Sequence, residues 1–107
     1  MKNPNLKISL PKDKIVEFCR RYYVSKLSLF GSVLREDFGP NSDVDVLVEF
    51  EPRSQRGPIG FFELYDMEEE LSRLFGGRKV DINTPQSLSK YFRDEVLYEA
   101  LMVYEQA

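Results

Sequence analysis

The segment DVDVLVEF at 43–50 dictates more about this chain than any other eight residues. Side chains alternate along a strand, so Val44, Val46 and Val48 take one face and Asp43 and Asp45 the other. The valines ask for a covering layer. Ionised carboxylates taken out of water are costly without a positive or hydrogen-bonding partner, so the second face must be an open cleft or a cation site. A sheet covered on one side and functional on the other is the expected solution.

The neighbouring segments extend this sheet. KLSLF at 26–30 reads as a strand running into Gly31, and RKVDIN at 78–83 as a third strand. The connection at 31–42, broken by Gly39-Pro40, is too short for a full crossover helix. The first two strands are therefore expected to be antiparallel, within a mixed sheet. A short helix is expected to start at Gly31-Ser32.

Residues 11–24 open with Pro11 and Asp13 and place Ile15, Phe18, Cys19 and Tyr22 at helical spacing. A second helix follows the Pro/Gly-rich 51–60, through Phe61, Leu64, Met67 or Glu68, Leu71, Leu74 and Phe75, and stops at Gly76-Gly77. Its acidic run DMEEE is expected to face water. Residues 84–105 read as a closing helix with Leu88, Phe92, Val96, Ala100 and Val103 along one side. The fold class is α/β (α+β): a small mixed sheet of three to four strands with helices packed on one face. One domain over 1–107 is expected, with 1–10 as a flexible start.

Composition narrows the chemistry. With 15 Lys+Arg against 18 Asp+Glu the net charge is −3, which offers long nucleic acid no global attraction. The chain has no histidine and one cysteine, Cys19, which excludes an internal disulfide and a cysteine-rich zinc site. A metal here should be hard and oxygen-liganded. No apolar run approaches a membrane span and the start lacks a signal-peptide pattern, so the expected compartment is the cytoplasm. Most of the 14 aromatics (8 Phe, 6 Tyr) are expected in the core, and the rest on a partner or homodimer contact.

Asp81 sits between Val80 and Ile82 in the same apolar-polar-apolar pattern. If its strand neighbours 43–50, three carboxylates converge, and clustered oxygen ligands favour magnesium or manganese. Gly31-Ser32, at a strand-to-helix junction, can face an anion with its backbone N–H groups and hydroxyl. A phosphate-holding turn beside metal-binding carboxylates describes metal-assisted phosphoryl or nucleotidyl transfer. Asp43 and Asp45 are then candidate ligands, and Asp81 a candidate ligand or base near the acceptor. Arg35 and Ser42 are candidate nucleotide contacts, whereas Arg53 and Arg56 are better read as a solvent loop.

Gly31-Ser32, Asp43-Val44-Asp45-Val46 and Asp81, with the flanking text LFGSVLRED, SDVDVLVEFEP and KVDINTP, resemble the nucleotidyltransferase superfamily that includes DNA polymerase β. In length and flanks the chain is similar to its minimal nucleotidyltransferase (MNT) subfamily, over about Lys14 to Tyr104. That resemblance implies ATP or another nucleoside triphosphate as donor, magnesium as cofactor, Ser32 on phosphate, Asp43 and Asp45 as ligands and Asp81 as third carboxylate. It also implies a HEPN-domain RNase toxin as partner, inactivated in some members by AMP transfer to a tyrosine. Family members often carry Ala-Arg-Gly-Asp after the Gly-Ser pair; here Leu34-Arg35-Glu36-Asp37 keeps the arginine and replaces the glycine by Glu36.

Size points the same way: 107 residues leave little room for a separate substrate module, so the acceptor is expected to come from a second protein. The competing reading is a catalytically idle antitoxin that masks its partner by contact. A transferase acting on a small molecule or an RNA end is a third.

Overall fold

The structure, a computed structural model, describes residues 8–35, 38–52 and 59–106. The readings made for residues 1–7, Glu36, Asp37, Arg53 and Arg56 lie outside these residues.

The valine alternation forms a strand, β2 (Val44–Phe50). β1 (Val24–Phe30) lies antiparallel to it, with Leu27 opposite Val48, Leu29 opposite Val46 and Phe30 opposite Asp45. β3 (Val80–Asn83) runs parallel to β2 and sets Asp81 opposite Asp45. The strand order is β3-β2-β1-β4, so the expected mixed sheet is present. Val44, Val46 and Val48 are fully buried. Burying each such side chain is worth about 1.5–3 kcal/mol. A slip of one residue would forfeit that and turn the aspartates inward, so the valines fix the register that positions the acids.

Two helices cover the valine face. α1 (Lys12–Arg21) buries Ile15, Phe18 and Cys19, and α2 (Phe61–Leu74) buries Met67 and Leu71. The acidic run of α2 is not simply its wet face. The Glu70 carboxylate accepts from Arg21 of α1 and pairs with it, and Tyr22 also donates to Glu70. Glu68 accepts the Ile82 N–H at 3.0 Å, which caps the edge strand β3. Phe61, expected on the apolar stripe, is 84% exposed.

The expected closing helix at 84–105 is overturned. Its first part is turns, because Thr84 and Ser87 satisfy each other: the Thr84 N–H donates to Ser87 Oγ (2.9 Å) and the Ser87 N–H to Thr84 Oγ1 (3.2 Å). Such side-chain bonds compete with helical ones. Only Arg93–Glu99 is helical, as α3, and it buries no residue. Ala100 is extended (ψ 139°), and Leu101–Glu105 forms β4, antiparallel to β1. With no Gly or Pro to announce the change, pairing with the free edge of β1 overrides helical propensity. The predicted stripe is scattered: Leu88 is buried, Phe92 is 48% exposed, and Val103 lies in a strand.

The aromatic expectation also fails. Among the described residues, Phe18, Phe38 and Phe75 are buried, while Tyr23, Phe61, Phe62, Tyr65, Tyr91, Phe92 and Tyr98 are exposed. No helix among the described residues is long and apolar enough to cross a membrane.

Candidate active site

β1 ends where β2 and β3 begin, so the Gly-Ser turn and the acidic residues meet at one end of the sheet. Residues paired in a ladder point to the same face. Phe30, Asp45 and Asp81 therefore form a row across three strands on the face opposite the valines. Asp43, just before β2, shares that face by alternation and is exposed, as is Asp81; Asp45 is half-buried.

Gly31 explains its own identity. Its φ is +75°, and a Cβ placed there would stand 2.4 Å from Asp45 Oδ2. Only glycine lets the turn lie directly against the carboxylate. The expected short helix is a single 3-10 turn, Gly31–Leu34, too short for a substantial helix dipole. What it offers an anion is its leading N–H groups, which have no partner within a helical turn and no side-chain cap here. Ser32 Oγ donates to the Asp43 carbonyl at 3.3 Å, tying the turn to the start of β2.

Asp45 carries the electrostatic signature of the site. Burial raises its carboxyl above the ordinary range, and the negative charges of Asp81 and Asp43 raise it further, while Arg35 pulls it back. The row is short of positive charge. Among the described residues, no three Asp, Glu or Cys side chains are grouped so as to hold a metal ion by themselves. The donor set is all oxygen and open on one side.

Ser42 is occupied within its own loop, where its Oγ accepts the Gly39 N–H at 3.0 Å. The loop is held from outside by Arg78, which sequence reasoning missed. Its guanidinium donates to the Gly39 carbonyl at 2.8 Å and lies 4.6 Å from the Phe38 ring centroid. Arg78 so braces the approach to Asp43. An arginine beside the third strand gave no sign in sequence of which loop it would reach.

Phe30, Gly31 and Arg35 form one wall of a cleft of about 280 Å3 whose other wall is α3. A larger apolar hollow of about 420 Å3, lined by Phe61, Phe62 and Tyr65, contains none of the predicted site residues.

A glycine-serine turn seated on an aspartate pair, with a third aspartate on the next strand, is the framework of a nucleotidyl-transfer fold. Residues 12–103 match the model of the nucleotidyltransferase domain. Protein adenylyltransferase MntA of Thermococcus cleftensis is 33% identical over 87 residues, covering 81% of this chain and 82% of its own. A Methanocaldococcus jannaschii protein, named provisionally as a protein adenylyltransferase, is 33% identical over 93 residues, covering 86% and 92%. A solved structure described provisionally as a minimal nucleotidyltransferase superposes with a TM-score of 0.66 at 29% identity, over 84% of this chain and 86% of that one. A toxin-antitoxin crystal structure with AMP-PNP has the same fold, with a TM-score of 0.68 at 19% identity over 91% and 75%. The chain belongs to the nucleotidyltransferase-domain family, among its minimal nucleotidyltransferases, and is an enzyme of that class.

Proposed function

We propose that this nucleotidyltransferase moves AMP from ATP to a hydroxyl of a partner protein, a tyrosine of a HEPN-type RNase toxin, and acts as its antitoxin in the cytoplasm. The observation that carries the reading is the convergence at one sheet end: Gly31 against the Asp45 carboxylate, and Asp81 beside it in register. The acceptor class is supported by the relatives named protein adenylyltransferases and by the toxin-antitoxin complexes among the fold's neighbours.

The residues fit magnesium in a particular way. Magnesium usually takes one or two carboxylates and completes its shell with water and substrate phosphates, so an open all-oxygen row suits it better than a closed cage would. Asp43 and Asp45 would hold it, with Asp81 as third carboxylate. When bound, the ion would neutralise phosphate charge and the charge that develops during transfer.

The chain's own groups do the rest. The N–H groups of the Gly31-Ser32 turn and the Ser32 hydroxyl hold phosphate oxygens, and the Arg35 guanidinium adds positive charge on the same side. Asp81, exposed at the row's end, orients the acceptor hydroxyl or takes its proton. The hydroxyl oxygen bonds to the α-phosphorus, the bond from that phosphorus to the β-phosphate bridge oxygen breaks, and pyrophosphate leaves.

Incubation of the purified chain with ATP, magnesium and its co-expressed partner tests this by mass spectrometry. A nucleotide-sized addition on the partner is expected, lost in EDTA. If the partner is suppressed equally well with no modification, the protein works as the idle masking module.

A further inference from the structure

The cleft between the Gly-Ser turn and α3 has walls of unlike chemistry. On the turn side are Phe30 and Arg35; on the α3 side, Phe92, Glu95 and Glu99. α3 buries none of its residues, so those lining the cleft have no part in the core. Phe92 leaves 48% of its surface free. Two carboxylates one helical turn apart repel phosphate, yet they stand next to the turn proposed to hold it. Whatever fills the cleft presents hydrogen-bond donors to the glutamates and a flat apolar surface to the phenylalanines.

The row Asp81, Asp45, Phe30 runs across the sheet toward this cleft, so the cleft and Asp81 lie on opposite sides of Asp45. With the acceptor at Asp81, the cleft side is left for the donor. A volume of about 280 Å3 lies just under the lower end of ligand pockets, about 300 Å3, which suits part of a nucleotide and not the whole.

We propose that this cleft holds the nucleoside end of the triphosphate, with Glu95 and Glu99 accepting hydrogen bonds from the ribose hydroxyls and Phe92 against the base. This rests on the transfer reading above and adds a determinant of which donor is used: a ribonucleotide, read by its sugar. Arg35 stands at the junction, facing the phosphates on one side and closing the cleft on the other.

Calorimetry in magnesium with ATP, 2′-deoxy-ATP, 3′-deoxy-ATP and inorganic tripolyphosphate tests it. Wild type should prefer ATP over both deoxy forms and over tripolyphosphate. Glu95→Gln and Glu99→Gln, at exposed positions, should each weaken ATP roughly 10-fold or more, the usual effect of losing a hydrogen bond to a charged group. Phe92→Ala should weaken ATP roughly 5- to 100-fold through lost stacking. None of the three should weaken tripolyphosphate. If the glutamates merely repel, the Gln variants will bind ATP and tripolyphosphate alike more tightly, which overturns the proposal. Unchanged ATP affinity with lost transfer to the partner also overturns it, by giving the cleft to the acceptor. Failure of wild type to bind either ATP or tripolyphosphate refutes the transfer reading and this inference with it, whereas binding that ignores α3 refutes the inference alone.

Discussion

Gly31→Ala measures how tightly the Gly-Ser turn is built against the acidic row. The left-handed backbone at φ +75° costs a non-glycine residue about 1–2 kcal/mol. Restricting the unfolded chain returns about 0.4–1 kcal/mol, so backbone alone leaves a loss of about 0–1.6 kcal/mol. The new methyl would also meet Asp45 Oδ2 at 2.4 Å, which forces the carboxylate from its rotamer at a further cost of about 0.5–1.5 kcal/mol. The sum, about 0.5–3 kcal/mol, should lower Tm by roughly 2–24 °C at about 4–8 °C per kcal/mol for a domain near 100 residues. Gly77→Ala is the control, since Gly77 has φ +89° and a Cβ there would meet nothing within 4 Å. It should pay the backbone cost alone. Adding Asp45→Ala to Gly31→Ala should remove the excess, because Asp45 Cβ stands 3.5 Å from the added carbon, an ordinary contact. Urea denaturation of wild type, the three single variants and the double variant gives the coupling energy. Equal losses for Gly31→Ala and Gly77→Ala, with coupling inside the usual additivity error of about 0.3–0.5 kcal/mol, would show that the turn does not rest on the carboxylate.

Three further outcomes are expected. In chelator, Asp45→Asn should be more stable than wild type at neutral pH, because the folded state raises the Asp45 carboxyl and so binds its proton more tightly than the unfolded chain does. The gap should shrink as pH falls through the raised folded value toward the ordinary carboxylate range; a less stable Asn variant at pH 7 would contradict the charge crowding. Asp81→Asn should keep nucleotide binding and partner binding in calorimetry while transfer falls by about 10²–10⁴-fold, the usual worth of a general base; loss of binding in step with transfer would make Asp81 chiefly a ligand. Cys19, fully buried with its thiol pushed up to about 12 by desolvation, should resist alkylation in the native state and react in step with global unfolding; fast labelling at neutral pH would show that α1 opens separately.

What the sequence disclosed depended on whether a feature's meaning was local. Strand alternation is local, so Val44 to Val48 located β2, its buried face and its acidic face together. That Asp81 shares a face with Asp45 followed from a repeated apolar-polar-apolar pattern once the strands were taken as neighbours; that the two strands run parallel is a fact of the assembled sheet. β4 was hidden because Leu101 to Glu105 carries no breaker and is helix-compatible; only the open edge of β1 makes it a strand. Glu68 and Glu70 were read as a wet face, and Arg78 was given no role, for the same reason. Their partners, Ile82, Arg21 and the Gly39 carbonyl, lie far along the chain and become visible only when the sheet is assembled. Gly31 falls between: glycine signalled a turn, but its contact with Asp45 is a fact of packing.

That contact sets stability against function at one point. The valines that fix the register of β2 also hold Asp45 in a half-buried position between Asp43 and Asp81, where its ionised form is disfavoured. A fold optimised for stability alone would replace Asp45 with a neutral residue and lose little, since the valine face supplies the packing. Keeping the charge means that any cation entering the row relieves repulsion already present. Ligand binding and fold stability are then linked: a metal-nucleotide complex that binds only the folded chain stabilises it by RT ln(1 + [L]/Kd), about 2.7 kcal/mol at a hundredfold excess over Kd. On the proposed reading, the mutual repulsion of the acidic row would make the metal-nucleotide complex the more stable form of the protein.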